Sequence, residues 1–225
     1  LLDPEMTSQP SIDPTSFGTA VHELLEKVPS RRWQAPGERE IRSVLARHGL
    51  AAEPEIQAAR RMIEGFLGSD LGRRIAGRKV DVESSLLIEI DGVMIRGFAD
   101  LLVRDSDLPL ILDYKSNQLE GTSPAELMDK YDLQRDLYAL AVAQALEVDQ
   151  VETAFVFLRD PADPVVDLFD AERLIEARGS FSRLVGDIAR GRYLGGPDAI
   201  HQPCGKCWAC ELMSGQIRSA LLTAD

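Results

Sequence analysis

The 225-residue chain divides first by the spacing of its apolar positions. Phe17, Val21, Leu24 and Val28 recur at helical spacing, with Thr15 or Ser16 placed to cap and Pro29 to stop, which predicts a short amphipathic helix. Further helical patterns cover 38–48 and 54–66, and a separate turn covers 71–76 after the break at Gly68. From Val80 the period becomes that of an extended chain. VDVESSLLIEI, the turn residues Asp91 and Gly92, and VMIRGFADLLV predict two strands joined as a hairpin. LPLILDY predicts a third strand whose unbroken apolar run suits a central position covered on both faces. Ser123 and Pro124 open the longest helical pattern, in which Leu127, Tyr131, Gln134, Tyr138 and Val142 stay in step through to Leu146. VETAFVFL predicts another strand and 171–189 a last helix, while GGPDAIHQPCGKCWAC carries no period. This order predicts an α/β fold in which helices cover a mixed central sheet, with a helical insertion over 29–79 after the first helix.

A hydrophobic fraction of 44% supports an ordinary core. No apolar run approaches the roughly 18 residues of a spanning helix, and the start lacks a basic, apolar export pattern. A cytoplasmic setting without a membrane partner is the expectation. Leu1 is not an initiator methionine, so the chain reads as a segment of a longer polypeptide with 1–14 as linker. The net charge of -12 argues against a protein that grips nucleic acid by bulk electrostatics. The charge is uneven. Between Pro29 and Val80 eleven Lys/Arg face six Asp/Glu, a local +5 that leaves -17 for the remainder. That segment reads either as solvated helix faces or as a nucleic-acid-facing surface.

Candidate chemistry centres on Asp113 and Lys115, which lie two apart on a strand and so share a face, with Tyr114 pointing the other way. Asp100, after Gly97 near the end of the preceding strand, could join Asp113 to form a carboxylate pair suited to Mg²⁺ or Mn²⁺. Taken alone, the same residues also describe an ordinary strand-end ion pair. His22 borders the apolar stripe of the first helix, with Gly18 one turn earlier leaving room beside it. It fits a metal ligand or a satisfied core histidine. Gln134 and Tyr138 share a helix face and could bind phosphate or the lysine, or simply pack. Glu83 on the first strand is a metal-proximal acid or a solvated one.

Four blocks in order, GTAVHELLE, GFADLL, LILDYKS and YDLQRDLYALA, resemble the motifs of the PD-(D/E)XK nuclease superfamily in its RecB-like branch, the nuclease domains of bacterial helicase–nucleases. They extend from Gly18 to Ala141. The resemblance implies a restriction-endonuclease-like α/β/α core, with a nuclease domain over 15–225 that includes a cysteine-containing tail over 191–225. It implies metal-dependent exonucleolytic hydrolysis of DNA, with Mg²⁺ or Mn²⁺ held by His22, Asp100, Asp113 and the Tyr114 carbonyl. Lys115 would be the catalytic lysine, supported by Gln134 and Tyr138. Its partners would be a single strand of DNA delivered by a motor, a helicase domain on the same polypeptide and a second helicase–nuclease subunit. The setting would be the bacterial cytoplasm and the task DNA-end processing in double-strand break repair. A stand-alone exonuclease and a catalytically silent nuclease fold are the other readings; intact His22, Asp100, Asp113 and Lys115 favour activity.

Cys204, Cys207 and Cys210 are spaced for metal ligation in a loop and are too close together to staple a fold. Similar domains hold an iron–sulfur cluster with a further cysteine near the first helix, which this chain lacks. His201 could complete a zinc or cluster site, or the trio could bind nothing.

Overall fold

The computed structural model describes residues 14–105, 108–116, 119 and 121–190. The described chain forms two compact units: residues 14–88 with 95–177, and residues 89–94 with 178–190. Helix α1 (Pro14–Glu26) is followed by α2 (Glu38–Arg47), α3 (Glu53–Gly68) and α4 (Asp70–Ile75). Strands β1 (Val80–Ile90), β2 (Val93–Val103) and β3 (Leu110–Lys115) come next, then α5 (Pro124–Leu127), α6 (Asp132–Leu146), β4 (Val151–Phe157), β5 (Val165–Phe169) and α7 (Ala171–Ala189). Helix α1 begins one residue before the expected caps, with Pro14 at its start, where a missing N–H costs nothing.

The sheet order is β1-β2-β3-β4-β5. β3 runs antiparallel to β2 and parallel to β4, and β5 returns antiparallel to β4, so the sheet is mixed. The parallel step requires a crossover, which α5 and α6 supply. β3 is central and covered on both faces, as its apolar run indicates. One face packs Leu112 and Tyr114 of β3, Leu101 of β2 and Val156 of β4 against α1 to α4, in a core that includes Val21, Leu45, Ile63 and Phe66. On the other face Phe155 and Phe157 pack with Met128 and Tyr131.

Two elements depart from the sequence expectation. The helix expected from Ser123 to Leu146 is broken: α5 is one capped turn, a 3-10 turn covers Met128–Lys130, and α6 begins at Asp132. Ser123 and Glu126 form a reciprocal capping box that starts the first piece. The second piece starts after Tyr131, whose backbone (φ -117, ψ 0) leaves the helical track. β5 was not expected at all. It is a five-residue edge strand whose exposure alternates, so its apolar positions form no continuous run.

In the smaller unit, Asp91 (φ 51) and Gly92 (φ 81) form the left-handed pair that a tight hairpin needs.

The junction of α3 and α4 is tight. Ser69 Oγ accepts from the Gly72 N–H at 3.0 Å and donates to the Phe66 carbonyl at 2.7 Å. A Cβ on Gly72 would stand 2.1 Å from the Phe66 carbonyl oxygen, which is backbone and cannot rotate away. Gly72→Ala is expected to destabilise the fold by at least about 2 kcal/mol, read as a lower urea midpoint; an unchanged midpoint would show that the two helices separate freely.

Candidate active site

Parallel pairing brings the C-terminal ends of β3 and β4 to one edge, with Lys115 opposite Phe157 and the Leu158 N–H bonded to the Lys115 carbonyl at 2.8 Å. The β2–β3 ladder pairs Leu101 with Leu112. Beyond that pair the Tyr114 N–H turns to the Asp100 side chain, donating to Oδ2 at 2.5 Å. A carboxylate thus replaces a ladder carbonyl at this strand end. The other Asp100 oxygen lies 3.0 Å from His22 Nδ1, so the first helix and the second strand meet at one carboxylate.

Asp113 and Lys115 share a face as their spacing requires, with Nζ 2.7 Å from Asp113 Oδ2. Gln134 from α6 ties them together, its Oε1 accepting from Lys115 at 2.9 Å and its Nε2 donating to Asp113 Oδ1 at 3.1 Å. Gln134 Nε2 also reaches the Tyr138 hydroxyl at 2.6 Å, and that hydroxyl donates to the Phe98 carbonyl. Of the helix face read from Gln134 and Tyr138, Gln134 bonds the lysine and Tyr138 bonds Gln134. Gly97 lets the Tyr138 ring lie against β2, since a Cβ there would be 3.1 Å from its Cε1. Lys115 Nζ sits 4.1 Å from the Tyr131 ring centroid, which seats the ammonium over an aromatic face. Tyr114 points to the opposite side, its ring centroid 5.0 Å from that of Phe66 and 6.0 Å from that of His22.

Gly18 serves a different neighbour from the one expected. Its missing Cβ makes room for Ser116, whose Oγ would be 2.5 Å away, so it seats the first helix against the end of β3. Glu83 adopts a left-handed backbone (φ 48) within β1. Partial burial and the charges of Asp100 and Glu26 raise its carboxyl above the ordinary value.

The electrostatics of the site are those of crowded acids. Burial, then the Asp100 charge, push the Asp113 carboxyl up to about 6, against the pull of Lys115. Burial pulls the His22 imidazole down, but the hydrogen bond and charge of Asp100 outweigh it and hold His22 above its usual range.

The donor set fits a hard divalent cation: two carboxylates, an imidazole and a strand-end carbonyl, with the charge of Asp100 disfavouring that of Asp113. His22 bonds Asp100 through Nδ1, which leaves the lone pair of Nε2 available in the neutral tautomer. Among the described residues no three His, Cys, Asp or Glu side chains stand together as a ready-made cage. The donors are instead closed on one another, His22 on Asp100 and Lys115 on Asp113. His201, Cys204, Cys207 and Cys210 lie outside the described residues.

Most cations of the positive segment are paired, some of them with acids outside it. Of its eleven cations, seven are paired: Arg31 with Glu40, Arg42 and Arg60 with Glu38, Arg47 with Glu23, Arg73 with Asp70, Arg74 with Glu152 and Arg78 with Asp105. That pattern favours solvated helix faces over a broad nucleic-acid surface. Among the described residues no helix is long and apolar enough to cross a membrane.

The chain is similar to known proteins. The family model of the PD-(D/E)XK nuclease superfamily matches residues 2–212. The chain is 26% identical over 181 residues to an ATP-dependent helicase/nuclease subunit from Listeria welshimeri, covering 70% of this chain and 14% of that protein. It is 27% identical over 177 residues to the protein of the same name from Streptococcus suis, covering 73% of this chain and 14% of the relative. The chain thus spans about a seventh of the length of the curated relatives it matches. The crystal structure of a protein from Eubacterium rectale, described as a candidate exonuclease, superposes with a TM-score of 0.53 at 13% identity, covering 94% of this chain and 76% of that one.

Proposed function

The chain belongs to the PD-(D/E)XK nuclease superfamily, and from that membership we propose that it is the exonuclease domain of an ATP-driven helicase–nuclease, hydrolysing DNA phosphodiesters with a divalent metal. Its mixed α/β sheet is the restriction-endonuclease-like fold of that superfamily. The observation that carries the proposal is the lysine held by Asp113 and Gln134 beside the Asp100–His22 pair, where β2 and β3 part.

His22, Asp100, Asp113 and the Tyr114 carbonyl would hold the metal. Mg²⁺ or Mn²⁺ bound there supplies Lewis-acid polarisation of a phosphoryl oxygen and acidifies water. Lys115 has three N–H donors, of which Asp113 and Gln134 take two. The third is left for the attacking water or for the charge that grows on the phosphoryl oxygens. Gln134 fixes both members of the pair, and Tyr138 fixes Gln134 through the Phe98 carbonyl, so Lys115 is preorganised.

The name borne by the Listeria and Streptococcus relatives supports a motor on the same polypeptide that delivers a single strand, with DNA-end processing in double-strand break repair as the task. The paired surface cations agree with a domain that holds DNA weakly and depends on delivery. A bacterial cytoplasmic setting follows from that role.

With Mg²⁺ or Mn²⁺ the purified chain is expected to shorten end-labelled single-stranded DNA and to leave a circular single strand intact. EDTA is expected to stop the reaction and excess Mg²⁺ to restore it. No product with either metal would overturn the proposal in favour of a catalytically silent nuclease fold.

A further inference from the structure

Phe98 is 51% exposed, although it lies two residues from Asp100 on β2. Along this stretch exposed Phe98, buried Ala99, part-buried Asp100 and buried Leu101 alternate, which puts the Phe98 ring and the Asp100 carboxylate on one face. A single exposed aromatic is ordinary on a protein surface. What surrounds this one is not. The Arg96 guanidinium carbon stands 4.6 Å from the ring centroid. Arg96 Nε donates to Ser85 Oγ on the neighbouring strand at 3.3 Å, which holds the cation in place. The Phe98 carbonyl accepts the Tyr138 hydroxyl, which in turn takes Gln134 Nε2, which reaches Asp113. The backbone beneath the ring is therefore tied to the carboxylates of the site, while the ring itself is left open to solvent.

A flat apolar ring, backed by a cation and two residues along the strand from a carboxylate that would bind a metal, matches an unpaired nucleobase. We propose that Phe98, backed by Arg96, is a stacking platform for a base of single-stranded DNA adjoining the scissile phosphate, and that it selects unpaired strands over duplex. This rests on the nuclease function proposed above. Stacking is tolerant of sequence because every base has a π-face, and a base within a duplex is already stacked on its neighbours. Arg96 places a positive charge beside the ring and offers a donor to the adjoining phosphate.

The test uses the full chain and a fluorescein-labelled oligothymidylate, with binding followed by anisotropy at low salt in EDTA so that no strand is cut. Phe98→Ala is expected to weaken binding about tenfold, within the roughly five- to hundredfold range for loss of one stacked base. Phe98→Leu should weaken it equally, Phe98→Trp should bind at least as well as the native chain, and duplex binding should stay within about twofold throughout. In cleavage with Mg²⁺, Phe98→Ala should raise KM by a similar factor and leave kcat within about threefold. Native-like binding by Phe98→Leu would show that the strand needs no aromatic face there and would overturn the inference. So would native-like binding by Phe98→Ala, or a native chain that fails to bind the strand. The nuclease reading fails separately: a chain that binds through Phe98 and cuts with neither metal would leave the platform standing and remove the activity.

Discussion

Lys115→Ala is expected to lower kcat for DNA cleavage by about 10²–10³-fold while leaving KM within about threefold. The split follows from where the ammonium is held. Asp113 Oδ2 at 2.7 Å, Gln134 Oε1 at 2.9 Å and the Tyr131 ring at 4.1 Å fix it before any substrate arrives. Its remaining donor can therefore act on charge that grows only in the transition state, and such an interaction appears in kcat. Lys115→Arg should not rescue, because a longer planar fork cannot place its donors as a compact ammonium does between Asp113, Gln134 and the reacting phosphate. Single-turnover rates with saturating Mn²⁺ would measure the effect. A kcat within threefold of the native value would reduce Lys115 to a strand-end ion pair, the reading that its two-residue spacing from Asp113 equally allows.

That ambiguity shows how far the sequence reaches into the site. Asp113, Tyr114 and Lys115 close an apolar run, and strand alternation alone assigns their faces. The Asp91-Gly92 hairpin was equally legible, because a pair of left-handed residues between extended runs has few alternatives. The role of Gln134 was half legible. Its i,i+4 relation to Tyr138 is local, but the bonds to Asp113 and Lys115 depend on how α6 crosses the sheet.

Elements that rest on distant contacts were hidden. Gly18 seemed to make room beside His22, one turn away, whereas the atom it admits belongs to Ser116, far along the chain. The break before Asp132 interrupts a helical period that never lapses, because Tyr131 packs toward Phe155 and Phe157 and under Lys115. β5 is short, alternates in exposure and lies at an edge, so its signal is weak and its pairing with β4 is what makes it a strand.

Asp113→Asn is expected to stabilise the metal-free protein at pH 8 while abolishing cleavage. The Asp113 carboxyl is 6% exposed and titrates at about 6 in the folded chain, against an ordinary value of 3.8. A raised folded value means that folding favours the protonated acid. Below about pH 4 both states carry the proton and there is no penalty; between about pH 4 and 6 the unfolded chain ionises while the folded chain still holds its proton, so the cost builds, and above about pH 6, where both are ionised, it is complete. That difference corresponds to at most about 3 kcal/mol. His22, raised by Asp100, also loses stabilisation as pH rises through its folded value, so the native chain weakens for two reasons in the same direction. Comparing Asp113→Asn with the native chain in EDTA isolates the first. Stabilities from urea unfolding should favour the variant by about 2 kcal/mol at pH 8 and converge below about pH 4. Added Mg²⁺ should then raise the native midpoint and not that of the variant, because only the charged carboxylate gains a cation to offset its burial. A variant less stable than the native chain at pH 8 would mean that the bond to Lys115 outweighs the crowding by Asp100. The strand end would then be a stabilising ion pair rather than a site strained toward a metal.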